Sequence, residues 1–347
     1  MAIVQLDFTH ASLAFATAVF STAAATICFA GWKLAAVAGH IAVRTGLGQA
    51  LTGAIFLGAS TSLSGTVASV AAAAAGHPAL AFGNAIGGIS AQTAFLAISD
   101  ITYARANLEH AAASAANIMQ GALLIAMLGI ILVAMAAPEV SVFGMHPASL
   151  LLPAAYVMGM QLVSRTQREP MWQPRKTAET REDVDPGERD FSGMSGLWIR
   201  FTLLAAVVAV AGWVIARTGP VIAQRTGLSE TGVGAVFMAV STSLPELVTC
   251  IAAVRQGALT LAVGDIIGGN VFDTLFISVS DAVYRDGSLL HATGPGGIFT
   301  VALPVLLTGV LLMGMIHRER SGIVNIGFES FLVLLLYFGG VAVMLLR

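Results

Sequence analysis

The sequence predicts an all-α membrane protein whose ten transmembrane helices form two inverted five-helix repeats. Three observations support this fold class: the composition, a succession of apolar segments and an internal duplication. The 347 residues are 56% hydrophobic and only 10% charged, and the mean hydropathy is +0.84. Because soluble domains carry about 25% charged residues, this chain lacks the polar side chains needed to cover a water-exposed surface.

Apolar segments long enough to cross a bilayer recur along almost the whole chain. A helix needs about 20 apolar residues to span the hydrocarbon core. Runs such as 151–162 and 203–215 are continuously apolar, whereas the strands of a membrane barrel would alternate with a period of two. We place the spans at residues 10–36, 47–74, 79–102, 114–137, 147–164, 196–217, 228–254, 259–283, 296–316 and 324–346.

The chain also contains one unit written twice. Residues 30–100 align with residues 211–281 at a constant shift of 181 positions without a gap, and 31 of these 71 positions are identical. Each half holds five spans, an odd number, so the second copy enters the membrane from the opposite side. The sequence therefore divides into a first repeat at 1–164, a polar linker at 165–195 and a second repeat at 196–347. Inverted repeats are typical of secondary transporters.

Basic residues predict the orientation. The polar linker falls on one side of the ten-span arrangement, together with Arg44, Arg105, Arg255, Arg318 and Arg320. Loops rich in Lys and Arg stay in the cytoplasm. We therefore expect an integral membrane protein of the bacterial inner membrane, surrounded by lipid and without a nucleic-acid partner.

The second copy carries an ionisable motif inside an apolar segment. The segment STSLPEL, which begins at Ser241, places Pro245 and Glu246 near the middle of the membrane. Proline removes a backbone donor, which should free carbonyl oxygens near Ser241 and Thr242. A carboxylate at that depth is costly and so indicates function. Since Thr242 and Ser243 share a helical face with Glu246, their oxygens together predict a site for a hard cation.

One span later, the segment GDIIGGNVFD adds two more carboxylates. Asp265 and Asp273 lie eight residues apart, on one helical face. The first copy keeps this scaffold without its charges, because Gly65 stands opposite Glu246, Asn84 opposite Asp265 and Gln92 opposite Asp273. A further aspartate is matched in both copies, at Asp100 and Asp281, and its position at a span end favours a structural cap or gate.

The two segments STSLPEL and GDIIGGNVFD resemble the α-repeat of the cation/calcium exchanger superfamily, which includes the sodium/calcium exchangers. The resemblance covers both halves. It implies ten helices in two inverted repeats, with ions bound where helices two, three, seven and eight meet. The ion-site residues that it implies, together with two positions that depart from the family pattern, are Glu246, Asp273, Thr242, Ser243, the carbonyl of Ala239, Thr61, Ser62, the carbonyl of Gly58, Asp265 and Gln92.

The departures from the family pattern affect the expected ion. The first-repeat glutamate of the family is Gly65 here, and the two motif serines are Gly88 and Gly269. The remaining pair, Glu246 and Asp273, would balance one divalent cation, two protons or two monovalent cations. We therefore expect a secondary active antiporter that exchanges a cation, Ca²⁺ first among the divalent ions, against Na⁺ or H⁺ by alternating access.

Other functions compete with this expectation. On the same scaffold, the chain would be a cation channel, or a membrane protein that binds or senses an ion without exchanging it. An enzyme is not expected: AVGD at 262–265 lacks the first glycine of the aspartyl-protease motif GxGD, and SLSG at 62–65 lacks that of the rhomboid motif GxSG. The chain contains no GxxxxGK[ST] phosphate loop, which argues against an ATP-driven pump. No cofactor is expected besides the transported ions, and the two cysteines imply no disulfide framework.

Overall fold

The computed structural model describes residues 11–45, 58–103, 107–112, 114–142, 144–175, 177, 193–319 and 327–346. Within these ranges the secondary structure is helical, apart from turns and one isolated β-bridge between Val142 and Met145. The predicted all-α fold is confirmed.

The helices follow the two halves of the sequence. The first half contains α1 Leu13–Arg44, α2 Leu63–Ala74, α3 Pro78–Ile101, α4 Leu108–Ala111, α5 Ala115–Ala136 and α6 Pro147–Arg168. The second half contains α7 Met194–Thr226, α8 Glu230–Thr242, α9 Leu244–Gln256, α10 Leu259–Asp273, α11 Leu275–Val283, α12 Gly294–His317 and α13 Phe328–Leu346.

The described helices supply nine membrane spans and part of a tenth. Eight helical segments are long and apolar enough to cross a membrane, with α10 and α11 forming one of them, and the bent pair of α8 and α9 supplies a ninth. Helix α2 is the described part of the second predicted span, whose residues 47–57 lie outside the described ranges. The main difference from the prediction is the length of α1 and α7, which have 32 and 33 residues. Helices of that length measure about 50 Å, so they must tilt in a hydrocarbon core of about 30 Å.

Each repeat contains a helix that breaks at the same position. In the first half, residues 58–61 are helical and Ser62 is a turn before α2 begins. In the second half, the break lies at Ser243, where α8 and α9 meet at 45°. Ser62 and Ser243 are 181 positions apart, so the break belongs to the repeat. Pro245 occurs in the second half only and is therefore not its sole cause.

The long helices α1 and α7 explain why the repeat keeps its AGW segment. A Cβ atom placed at Gly31 of α1 would overlap the ring of Pro245, and one placed at Gly212 of α7 would lie 2.6 Å from the carbonyl oxygen of Ser64. Each glycine thus lets a long helix pack directly on the broken helix of the other half. Positions 31 and 212 are related by the shift of 181.

Helix α3 forms the centre of the molecule, with 94% of its apolar window buried. It packs backbone to backbone on α8, since Gly83 and Gly87 face Gly234 and Ala235 so closely that a Cβ atom at either glycine would overlap the other helix. The contacted part of α8, Val233–Met238, is a π-helix. Wider π turns are frequent at functional sites. This packing places the middle of α3 beside the break that ends α8.

Candidate functional site

The two halves meet at a direct contact between repeat-equivalent residues. Gln92 of α3 and Asp273 of α10 are 181 positions apart, and Nε2 of Gln92 donates a hydrogen bond to Oδ2 of Asp273 at 2.6 Å. The same nitrogen lies 3.3 Å from Oγ of Ser243, at the helix break. The pseudo-two-fold axis of the fold therefore passes close to this contact.

Buried oxygens without hydrogen-bond partners surround the contact. Glu246 is 4% exposed and Asp273 is 2% exposed, and their carboxylates interact electrostatically. Four oxygens here lack a donor: Oε2 of Glu246, Oδ1 of Asp273, Oε1 of Gln92 and Oγ of Ser62. Ser62 lies beside Asp273. Since buried polar atoms almost always find a partner, this set of acceptors calls for a cation or for protons.

The backbone carbonyls at the two breaks follow one pattern. The carbonyl oxygen of Gly58 accepts from the amide of Ser62 at 2.9 Å and from Oγ1 of Thr61 at 3.0 Å. The carbonyl oxygen of Ala239 accepts from the corresponding amide and hydroxyl of the second half, at 3.1 Å and 3.3 Å. A cation at either oxygen would therefore compete with a threonine hydroxyl, whose own oxygen can also act as a ligand.

The expectation about the carbonyls is wrong for Thr242. Pro245 was expected to leave the carbonyl oxygens near Ser241 and Thr242 free for a cation, but Oγ of Ser64 donates to the carbonyl oxygen of Thr242 at 2.8 Å. Ser64 belongs to the other half and stands opposite Pro245 in the repeat. The serine of one copy thus satisfies a carbonyl oxygen beside the helix break of the other copy.

The position of the missing first-repeat carboxylate is filled by an aromatic ring. A Cβ atom built at Gly65 would lie 2.8 Å from Cε2 of Phe276. Phe276 is buried and follows Asp273 by one helical turn. The first half therefore presents an apolar wall where the second half presents Glu246.

Asn84 and Asp265 occupy equivalent positions with different surroundings. Asn84 is fully engaged: Nδ2 donates to the carbonyl oxygen of Gly65 at 3.1 Å and to Oγ of Ser69 at 2.8 Å, while Oδ1 accepts from Oγ1 of Thr242 at 3.1 Å. These bonds tie α3 to both broken helices.

Asp265 lies apart from the contact between Gln92 and Asp273. It precedes Asp273 by eight residues, about 12 Å along the helix axis. Its carboxylate faces Glu246 and Cys250 instead. Among the described residues, no three His, Cys, Asp or Glu side chains come together in a metal-binding group. The cluster at the centre is therefore two carboxylates completed by hydroxyl and amide oxygens.

Asp100 and Asp281 have the predicted capping geometry. Oδ1 of Asp100 accepts from the amide of Leu108 at 2.7 Å, and Oδ1 of Asp281 accepts from the amide of Leu289 at 2.8 Å. Both bonds span eight residues and close the turn that follows the helix.

Two polar residues of α5 that lie against α10 were not predicted from the sequence. Asn117 and Gln120 face Gly264 and Gly268 of α10, and Nδ2 of Asn117 donates to the carbonyl oxygen of Thr260 at 3.2 Å. They lie outside the duplicated segment, so comparing the two copies gave no signal for them.

A family model described as sodium/calcium exchanger protein matches residues 15–162 and 195–346. The matched ranges contain both broken helices, and also α3 and α10, which carry the Gln92–Asp273 contact.

Curated relatives match over shorter stretches. The inner membrane protein YrbG of Escherichia coli strain K12 is 34% identical over 111 residues, which are 32% of this chain and 34% of that protein. The sodium/calcium exchanger MaX1 of Methanosarcina acetivorans is 28% identical over 145 residues, 40% of each protein. The matched stretches thus span less than half the length of these relatives.

Solved structures share the fold over nearly the whole chain. The H⁺/Ca²⁺ exchanger CAX superposes with a TM-score of 0.65 at 12% identity, covering 95% of this chain and 86% of that one. The sodium-calcium exchanger NCX_Mj superposes with a TM-score of 0.58 at 16% identity, covering 97% and 100%. Since the family model matches most of the chain and includes the residues of the central cluster, the chain belongs to the sodium/calcium exchanger protein family.

Proposed function

We propose that this integral membrane protein is a secondary active antiporter that exchanges a cation, with Ca²⁺ as the first candidate, against Na⁺ or H⁺. The observation that carries the proposal is the cluster of four buried oxygens without donors at the contact between the two repeats. Such a cluster at the axis of an inverted repeat can be exposed to either side as the two halves rock. Exchangers among the similar proteins support the same function.

The charge of the cluster decides which ions fit. Glu246 and Asp273 carry two negative charges when ionised, and neither forms an ion pair with a described residue. Two buried charges without a counter-ion are costly, so the cluster binds either one divalent cation or two monovalent cations or protons. Alternation between these two loads is an exchange cycle. Hydroxyl, amide and carboxylate oxygens suit hard cations such as Ca²⁺.

We assign the ligands in two groups. Glu246 and Asp273 supply the charge, and Ser62, Ser243 and Gln92 supply neutral oxygens. The hydroxyls of Thr61 and Thr242, with the carbonyls of Gly58 and Ala239, complete the coordination when the hydroxyls rotate away. Asp265 stands beside Glu246 on the approach to the cluster.

Reconstituted protein tests the proposal. Proteoliposomes loaded with unlabelled Ca²⁺ should accumulate tracer Ca²⁺ by counterflow, and a gradient of Na⁺ or H⁺ should drive net uptake. A panel with Mn²⁺, Mg²⁺ and K⁺ defines the selectivity. Uptake should be lost in Glu246→Gln and Asp273→Asn and retained in Asp286→Asn, an exposed loop carboxylate.

The same assay separates the alternatives. A channel would give tracer uptake that follows the membrane voltage without counterflow, and a sensor would bind the ion without any uptake. An enzyme is not proposed, and no cofactor is assigned besides the transported ions. Counterflow that persists in both carboxylate variants would refute the assignment of the site.

A further inference from the structure

A second group of buried carboxyls lies away from the central cluster. It joins the end of α3, the short helix α4 and the first turn of α13, through Asp100, Glu109 and Glu329. Their exposed fractions are 0%, 1% and 0%. Three of their oxygens have no hydrogen-bond donor: Oε2 of Glu109 and both carboxyl oxygens of Glu329. Glu329 is therefore a fully buried side chain aimed into the group, with no donor on either carboxyl oxygen and the Glu109 carboxyl as its neighbour.

The contacts within the group are close. The Glu109 carboxyl interacts electrostatically with those of Asp100 and Glu329, and it also accepts from Oγ of Ser330 at 3.3 Å. Glycines make the space for Glu329, because a Cβ atom at Gly314 or at residue 327 would overlap its side chain. The helices are thus shaped around a buried glutamate.

The repeat shows that this group is more than a cap. In the other half, both oxygens of Asp281 accept backbone amides, from Leu289 and from His146, each at 2.8 Å. The positions equivalent to Glu109 and Glu329 are Leu290 and Ala148. Capping therefore explains the aspartate in each half, but it does not require the two glutamates.

Other ionisable residues lie around the group. Glu319 adds another negative charge near Glu329. The His110 ring contacts the carbonyl oxygen of Arg318 at 2.7 Å and Oγ1 of Thr177 at 2.9 Å, and the Arg318 guanidinium donates to the carbonyl oxygen of His110 at 2.9 Å. In the described part of the chain, none of the three carboxyls forms an ion pair. Three carboxylates this close cannot all be charged, so protons must bind.

We propose that Asp100, Glu109 and Glu329 form a second proton-binding site, separate from the central cluster, in which Glu109 and Glu329 share a proton that ties α13 to α4, the short helix that Asp100 holds to the end of α3. Burial, and then the charges of Asp100 and Glu329, raise the pKa of Glu109 well above its usual value. Gln92 lies two helical turns before Asp100 on the same helix, so loss of the proton would loosen one support of α3. The predicted orientation places this site at the cytoplasmic ends of the helices.

The sign of the pH effect follows from the raised pKa. A carboxyl that binds its proton more tightly in the folded protein stabilises the fold at low pH, and this stabilisation is lost as the pH rises from about 4.5 through the folded pKa. Across that pH range, the equilibrium constant for folding falls about tenfold per pH unit for each proton that only the folded state retains.

Thermal unfolding of the purified protein tests the site without any transport measurement. The unfolding temperature of the wild type should fall as the pH is raised from about 5 to 9. The double variant Glu109→Gln/Glu329→Gln should lose most of this dependence, because carboxamides imitate protonated carboxyls. Glu169→Gln, at an exposed residue that follows α6, serves as the matched control and should keep it. An alkaline fall that is the same in the wild type and the double variant would overturn the proposal.

Infrared spectroscopy gives a second readout, which does not require Glu109→Gln/Glu329→Gln to fold. At neutral pH, the band of a protonated carboxyl should remain in Glu246→Gln/Asp273→Asn, which separates this site from the central cluster, and should decrease in the single variant Glu109→Gln. A spectrum of Glu246→Gln/Asp273→Asn without that band at neutral pH would refute the shared proton.

Discussion

Replacing Asp273 with asparagine is the most direct test of the central cluster. The change keeps the shape of the side chain and one oxygen that can accept a hydrogen bond from Gln92. In the wild type, Nε2 of Gln92 lies 2.6 Å from Oδ2 of Asp273. It removes one of the two charges that balance a bound divalent cation. Breaking a buried charge pair by removing one partner costs about 3–5 kcal/mol. The divalent ion should therefore bind about 150- to 5,000-fold more weakly.

Titration of tracer Ca²⁺ uptake in proteoliposomes measures this loss as a shift in the half-saturating concentration. Glu246→Gln should show a shift of similar size. The double variant should show a smaller further loss than the sum of the two, because the first substitution already unbalances the site. Asp286→Asn controls for the general loss of a charge, since that residue is exposed in a loop.

Two results would refute the reasoning. One is a shift of less than about tenfold in Asp273→Asn, which would place the carboxylate outside the coordination shell. The other is a larger shift in Asp265→Asn than in Asp273→Asn. It would move the site about two helical turns along α10, towards Cys250.

Further predictions concern the packing around the cluster and one histidine. Gly65→Glu should destabilise the protein by about 1–3 kcal/mol through overlap with Phe276, whereas Gly65→Glu/Phe276→Ala should bind Ca²⁺ more tightly than Phe276→Ala in the same uptake titration. Ser64→Ala should lower the free energy of unfolding by about 1–2 kcal/mol, because the carbonyl of Thr242 loses its donor. Burial lowers the pKa of His146, so its contribution to stability should be lost as the pH falls below about 6.5; His146→Asn should abolish this loss in thermal unfolding and still cap α6.

Matched controls and opposite outcomes accompany these predictions. Equal Ca²⁺ affinity of the double variant and Phe276→Ala would show that a carboxylate at position 65 does not reach the ion. Ser21→Ala, exposed on α1, controls for Ser64→Ala, and equal unfolding temperatures of the two variants would contradict the role of the hydroxyl. If the stability of His146→Asn still falls below about pH 6.5 as in the wild type, the loss comes from another group.

Local patterns made most of the fold predictable from the sequence. Apolar length placed the spans, and the repeat placed the breaks at Ser62 and Ser243, because both signals depend on residues close in sequence. The ends of α1 and α7 were predicted eight and nine residues too early, since the helical hydrogen bonds continue to Arg44 and Thr226 after the apolar run ends.

The contacts between the two halves could not be predicted in the same way. The hydroxyl of Ser64 meets the carbonyl of Thr242, and the ring of Phe276 meets Gly65, only because the crossing of α1 and α7 sets the register between the repeats. Sequence comparison identified Ser64 and Gly65 as substitutions of a motif. It did not show that each one has a compensating contact in the other copy.

These compensations give the asymmetry of the repeat a physical basis. The pseudo-two-fold scaffold is conserved at the breaks, at the AGW glycines and at the capping aspartates, where backbone geometry leaves little choice. Charge departs from the symmetry in two places. The central cluster takes both of its carboxylates from the second copy, with Phe276 filling the space opposite Glu246. The second group of buried carboxyls adds Glu109, beside the first copy's own aspartate, Asp100, and Glu329 from the other half. Since α3 links the two through Gln92 and Asp100, a protein of this form can bind ions beside the middle of a central helix and protons at its end.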